Sequence, residues 1–215
     1  MNAPEKGCLI TLEGIEGAGK STHIQFIAEQ FRQAGKEVLI TREPGGTILG
    51  EGIRELLLNK NEELMFEETE LLLMFAARAQ HVRQVILPAI NANKIIICDR
   101  FTDSSYAYQG GGRGLSLKKI QQLEAWLFSG VLSGFKPDLT LLLDLSVETG
   151  LSRARARGEA DRFEIETVSF FQNARDVFLK ISQDEPDRVS IIDTEQDIKT
   201  VQSDILKVLK EKGLC

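Results

Sequence analysis

The residues GIEGAGKST at 14–22 constrain this chain more than any others. The first eight fit the spacing G-x-x-x-x-G-K-[ST], the apolar run CLITLE at 8–13 leads directly into them, and a helical pattern follows. Strand, glycine loop and helix in that order make an anion cradle, because successive backbone N–H groups point outward at the helix start. Gly14, Gly17 and Gly19 allow the close backbone approach that a side chain would block, and Ile15, Glu16, Ala18 and Thr22 complete the loop. Lys20 is placed to reach the β- and γ-phosphates of a nucleoside triphosphate such as ATP, and the Ser21 hydroxyl to bind Mg²⁺. The loop leaves the fate of the γ-phosphoryl open, since hydrolytic switches, motors and kinases all use it.

The order of elements points to an open sheet. Ile24, Ile27, Ala28 and Phe31 share one face of a helix predicted from Lys20 to about Ala34, with Gly35 as its stop. Further strands are predicted at 37–41, 94–98, 139–145 and 189–193, and helices at 53–58, 67–91, 117–129, 147–156, 167–182 and 197–211. Such alternation predicts an α/β fold of the P-loop NTPase kind: a five-stranded parallel sheet, helices on both faces, and a ligand crevice beyond the carboxyl ends of the strands. Residues 1–215 read as one domain. The basic, alanine-rich stretch RARARGEADR between two helices predicts a small mobile lid at about 153–163.

Composition narrows the partners. Hydrophobic and charged fractions of 42% and 27% suit a globular chain, and a net charge of −6 argues against a general nucleic-acid or anionic-membrane binder while allowing a local basic pocket. No run approaches about 18 apolar residues and MNAPEKG lacks a signal-peptide core, so the expected location is the cytoplasm. Cys8 and Cys98 read as buried strand residues, and the terminal Cys215 carries no expected chemistry. His23 and His81 lack a ligand cluster and read as helix-surface or pocket-wall residues.

Two acids end strands where a metal partner is needed. Asp99 is followed at once by Arg100, which puts a metal-side carboxylate and a phosphate-side guanidinium at one strand end; Asp144 runs into SVET and reads as a helix-capping or structural residue. Asp99 is therefore the favoured partner of Ser21. Arg42, Arg78 and Arg100 suggest a phosphoryl-transfer pocket, because planar guanidinium groups match phosphate oxygens. A guanine-reading N-K-x-D is missing: NKNE at 59–62 ends in Glu and lies between predicted helices.

TREPGGT at 41–47, FAAR at 75–78, DRF at 99–101, SSYAYQGGGRG at 104–114 and RARARGEADR at 153–162 together resemble the bacterial thymidylate kinases, with the motifs in family order. The resemblance implies transfer of the γ-phosphoryl of ATP to dTMP in dTTP synthesis, with Mg²⁺, by a homodimer. It implies that Glu16 contacts the acceptor sugar 3′-hydroxyl, that Arg42, Arg78 and Arg100 serve the acceptor phosphate and transfer site, and that Ser105, Tyr108 and Gln109 line the thymidine pocket. The family's base-stacking aromatic often stands four residues before the arginine, where this chain has Met74; the role is assigned to the adjacent Phe75, with Met74 as the alternative. With no basic residue in the loop beyond Lys20, the chain resembles the class whose lid supplies the catalytic arginine, from among Arg153, Arg155, Arg157 and Arg162. Another P-loop kinase, for uridylate, cytidylate or a non-nucleotide acceptor, and a nucleotide-dependent regulatory module or hydrolytic switch are the competing readings.

Overall fold

A computed structural model describes residues 6–59, 64–156, 162–163 and 165–214. Five strands, β1 (Cys8–Glu13), β2 (Val38–Arg42), β3 (Ile95–Asp99), β4 (Leu139–Asp144) and β5 (Val189–Asp193), form one parallel sheet in the order β2-β3-β1-β4-β5. Their continuous apolar runs follow from burial on both faces. Side chains alternate across the sheet: Ile10, Leu12, Ile95 and Ile97 pack on one side, and Leu9, Ile96 and Cys98 on the other. The first side is closed by α1 (Lys20–Gln33) through Ile24, Ile27 and Phe31, and by α8 (Val168–Asp184) through Phe171 and Phe178. Fully burying one such side chain contributes about 1.5–3 kcal/mol.

The opposite side is covered by α3 (Glu67–His81) through Leu71 and Phe75, and by α6 (Leu117–Leu127) through Ile120 and Leu127. Helical backbone runs on from α3 through a π-turn at Val82–Ile86 into α4 (Leu87–Asn91), matching the predicted span 67–91. The π-turn lies just before Pro88, which has no N–H to give a regular α ladder. Helix α9 (Ile198–Glu211) is capped by the Asp197 carboxylate.

Two elements differ from the sequence expectation. Helix α2 (Ile48–Leu58) starts five residues before the predicted 53, because the Thr47 hydroxyl accepts from the Gly50 N–H at 2.9 Å and nucleates the first turn. Helix α5 (Thr102–Ser105) continues into a π-helical segment at Tyr106–Gly112, where no helix was predicted. Two of its glycines face α8 and one faces α6: a Cβ at Gly111 would stand 2.6 Å from the Asn173 carbonyl oxygen, one at Gly112 would meet the Phe170 ring, and one at Gly110 would meet the Leu117 side chain. Helix α7 (Val147–Arg155) follows β4, capped by Ser146, not by Asp144. Much of the predicted lid, including Arg157, lies outside the described residues. No helix among the described residues is long and apolar enough to cross a membrane.

Parallel register brings the strand ends level, with Asp99 opposite both Leu12 and Arg42. The phosphate loop, Arg42, Asp99 and Arg100 therefore meet at one edge of the sheet, the edge to which the strands point.

Candidate active site

Gly19 caps α1 in a left-handed conformation with φ 86°, no side chain caps the helix, and no acid stands in its first turn. The first N–H groups of α1 thus point toward the cleft without a competing side-chain acceptor. Lys20 Nζ donates to the carbonyl oxygens of Gly14 and Ile15 at 2.9 and 3.1 Å, so its ammonium lies across the loop. Burial, then the nearby Arg100 guanidinium, push that ammonium down to about 8. Gly17 has φ 78°, and a Cβ there would stand 2.1 Å from the Gly150 carbonyl oxygen of α7. A Cβ at Gly150 would in turn stand 2.6 Å from the Glu16 carbonyl oxygen, so two glycines let the loop lie against α7.

One cleft is lined by this loop from Glu16 to Ser21 together with Arg42, Arg78, Asp99, Arg100, Ser105, Tyr108 and Gln109. Arg100 follows β3 with φ 67°, a left-handed conformation that costs a non-glycine residue roughly 1–2 kcal/mol. The turn aims its guanidinium at Glu16 Oε1, 2.8 Å away, and at the Gly14 carbonyl at 3.0 Å. Tyr108 donates its hydroxyl to the other oxygen of Glu16 at 2.8 Å and carries the Arg100 guanidinium 4.7 Å above its ring. Glu16 thus joins the glycine loop to Arg100 and Tyr108. Glu13, at the buried end of β1, holds the turn from below: it accepts from the Phe101 N–H at 2.7 Å and stands 2.6 Å from the Ser104 hydroxyl. Burial, with Asp103 nearby, pushes Glu13 up to about 8, against the pull of its hydrogen bonds to Ser104 and Phe101.

Arg78 is 2% exposed and firmly tied. Its Nε donates to Glu43 at 2.6 Å, and its terminal nitrogens to the Ser105 hydroxyl and the Phe101 carbonyl, both at 3.0 Å. Glu43 also contacts His81 Nδ1 at 2.9 Å, and His81 Nε2 lies 2.6 Å from the Thr41 hydroxyl. His81 is thus a buried structural partner rather than a surface residue. His23 is also buried, in α1. Arg42 is the loosest of the three arginines, its side chain 52% exposed and paired with Glu51.

Met74 and Phe75 are placed differently. Met74 lines the cleft, whereas Phe75, about 100° further around α3, is buried in the core against Leu71 and Val82. Among the described lid arginines, none lines the cleft: Arg153 donates to the Thr194 carbonyl at 2.9 Å, and Arg155 is exposed at the end of α7. Arg162 donates to the Leu57 carbonyl at 2.7 Å and to Glu70, and its neighbour Phe163 reaches the cleft. Asp144 is gripped by Arg175 at 2.7 and 2.8 Å, an ion pair that takes up both carboxylate oxygens. By contrast, Asp99 Oδ1 is buried with no hydrogen-bond partner among the described residues, in the same cleft as the Ser21 hydroxyl. An orphaned carboxylate oxygen and a hydroxyl-bearing residue lining one cleft fit a hard, oxygen-loving cation. Both buried thiols resist ionisation: burial pushes Cys8 up to about 12 and raises Cys98 as well.

Sequence reading missed Arg54, Glu43, Glu70 and Gly150. Arg54 lines the cleft and donates to the Pro44 carbonyl at 3.0 Å. A charged residue inside IRELLL, about two turns after the TREPGGT loop, was the available signal. The other three act through tertiary neighbours that spacing does not encode.

The sequence pattern of the thymidylate kinase family matches residues 12–205. A thymidylate kinase of Pseudomonas fluorescens is 55% identical over 199 residues, covering 93% of each chain, and one of Pseudomonas putida is 54% identical over the same length and shares. The crystal structure of thymidylate kinase from Ehrlichia chaffeensis superposes with a TM-score of 0.77 at 32% identity, covering 95% of this chain and 99% of that one.

Proposed function

Because the chain belongs to the thymidylate kinase family and its reaction moves the γ-phosphoryl of ATP to dTMP, giving dTDP and ADP, we propose how its residues divide that work. The observation that carries the assignment is the sharing of one cleft by the triphosphate loop and by Arg78, Arg100, Ser105, Tyr108 and Gln109. The loop from Gly14 to Thr22 holds the ATP phosphates, with Lys20 on the β- and γ-phosphates. Arg42 and Arg100 align the dTMP phosphate, and Arg78 with Ser105 and Gln109 borders the thymidine. Met74, not Phe75, lies against the base, where its thioether gives a soft apolar contact. Glu16, already shared by Arg100 and Tyr108, faces the acceptor sugar.

The acceptor phosphate oxygen attacks the γ-phosphorus in line, and the bond to the β,γ-bridging oxygen breaks with its electrons leaving on ADP. The attacking oxygen is anionic or nearly so, so positioning and charge stabilisation replace a strong general base. Ser21 and Asp99 are the residues that would hold Mg²⁺. When bound, the ion draws charge from the β- and γ-phosphate oxygens. Lid residues at about 153–163 supply a further arginine from Arg153, Arg155 or Arg157 on closure, and residues 1–215 act as one kinase domain. Exposed apolar residues on α2 and α3, Leu49, Leu56 and Leu72, support a homodimer. The same family membership supports a cytoplasmic location.

ADP formation with Mg-ATP, measured against thymidine, deoxyuridine, uridine, cytidine, adenosine and guanosine monophosphates, tests the reading. Strong preference for dTMP is expected. A different winning acceptor would overturn the pocket roles, and hydrolysis without acceptor dependence would overturn the phosphoryl-transfer geometry.

A further inference from the structure

Gln109 lines the cleft, and its side chain makes one hydrogen bond among the described residues: Nε2 donates to Oε1 of Glu70 at 2.8 Å. Glu70 is 1% exposed, and among the described residues its other side-chain hydrogen bonds come from guanidinium groups. Arg113 approaches through Nη2 at 3.2 Å and Nε at 3.4 Å, and Arg162 through Nη2. A carboxylate gripped by two guanidinium groups offers lone pairs and no proton. It attracts the amide nitrogen of Gln109 and repels the amide oxygen, which settles which end of the carboxamide faces it.

That orientation has a chemical consequence. A free carboxamide reads two base edges equally well. In one orientation its oxygen accepts from N3–H of a thymine or uracil imide and its N–H donates to a ring carbonyl; turned by half a rotation, it donates to N3 of cytosine and accepts from the exocyclic amine. We infer that Glu70 is a positioning residue that sets base specificity by forbidding the half rotation. With Nε2 held, the Gln109 oxygen is left for an N3–H donor, and it opposes the N3 lone pair of cytosine. The inference deepens the dTMP reading and rests on Gln109 facing the base.

The test compares kcat/KM for dTMP, dUMP and dCMP in the wild type, Gln109→Met, Glu70→Gln, their double variant and Arg113→Lys. Glu70→Gln offers both a donor and an acceptor, so Gln109 can satisfy it either way round. The dTMP/dCMP ratio is expected to fall about tenfold or more, while the dTMP/dUMP ratio holds, because the amide does not touch the 5-methyl group. Gln109→Met is expected to lose the same discrimination and the double variant no more. Arg113→Lys loosens the clamp but keeps the Glu70–Gln109 bond, and its ratio is expected to stand. An unchanged ratio in Gln109→Met would remove Gln109 from the base and take the inference with it. A collapse in Gln109→Met with no change in Glu70→Gln would overturn the Glu70 role alone, as would equal losses in Glu70→Gln and Arg113→Lys. Should Glu70→Gln not fold, Glu70→Asp keeps the charge between the arginines and withdraws the carboxylate from Gln109; the same loss is expected, and a retained ratio overturns the inference.

Discussion

Lys20 and Glu13 show how burial tunes single residues around the transfer site. Lys20 is held at about 8 by burial and Arg100, so the folded protein carries its charge at a cost that the ATP phosphates would relieve. Lys20→Ala is expected to lower kcat by about 10²–10³-fold, the loss typical of removing one charge-stabilising group, while thermal melting shows no loss of stability at neutral pH. Near-normal turnover in this variant would sink the role. Glu13 is shifted the other way, to about 8, from an ordinary value of about 4.3. Between those values the folded state binds the extra proton, so this residue's stability contribution is full below about 4 and is lost as pH rises through about 8. A Gln at this position keeps an oxygen to accept from the Phe101 N–H, and its amide N–H can donate to the Ser104 oxygen once that hydroxyl turns. Glu13→Gln is therefore expected to keep turnover at neutral pH and to flatten the fall of melting temperature between about pH 5 and 8. A melting curve as steep as that of the wild type would show that Glu13 is ionised in the folded state.

At the scale of elements, the phosphate loop is placed by α7 as much as by β1 and α1. Gly150 is where α7 and the loop touch, and two tendencies compete there: Ala favours a helix interior over Gly by about 1 kcal/mol, but its Cβ would stand 2.6 Å from the Glu16 carbonyl oxygen. Backbone oxygen cannot swing away as a side chain can, so the clash decides the sign. Gly150→Ala is expected to destabilise by about 1–3 kcal/mol and to raise the KM for ATP, read by denaturant unfolding and steady-state kinetics. A more stable variant with unchanged KM would show that the loop yields freely. The five strands and most helices were legible in the sequence, because buried parallel strands appear as unbroken apolar runs and the helices carry one-sided stripes. The helical stretch at 102–112 was not, since GGG normally signals a turn, and the reason for Gly111 and Gly112 lies in α8, some sixty residues away, with Gly110 packed against Leu117 of α6. Of the cleft's cationic residues, Lys20, Arg42, Arg78 and Arg100 were read from motifs and Arg54 was not. Their holders, Glu43 for Arg78 and Glu70 for Gln109, become visible only when distant elements meet.

Over the whole molecule, a chain of net charge −6 gathers Lys20, Arg42, Arg54, Arg78 and Arg100 at one cleft. The acidic remainder discourages general binding to nucleic acid while the cleft still attracts small phosphates. The apolar surface is distributed just as unevenly. Leu49 and Leu56 recur two turns apart on α2 and Leu72 lies on α3, all more than half exposed, on two helices that pack together at Ile53, Leu57 and Ala77. Apolar side chains on neighbouring helices suit a twofold interface, in which the same patch of each copy covers the other. Sedimentation of the wild type is expected to give a dimer at micromolar concentration. Leu56→Lys with Leu72→Lys puts like charges face to face across the twofold and is expected to give a folded monomer, because neither side chain supports the core. A monomeric wild type, or a double variant that stays dimeric, would place the contact elsewhere. Since α3 also carries Met74, Arg78 and Glu70, a monomer that keeps its fold but binds dTMP more weakly would show that the interface steadies the acceptor wall.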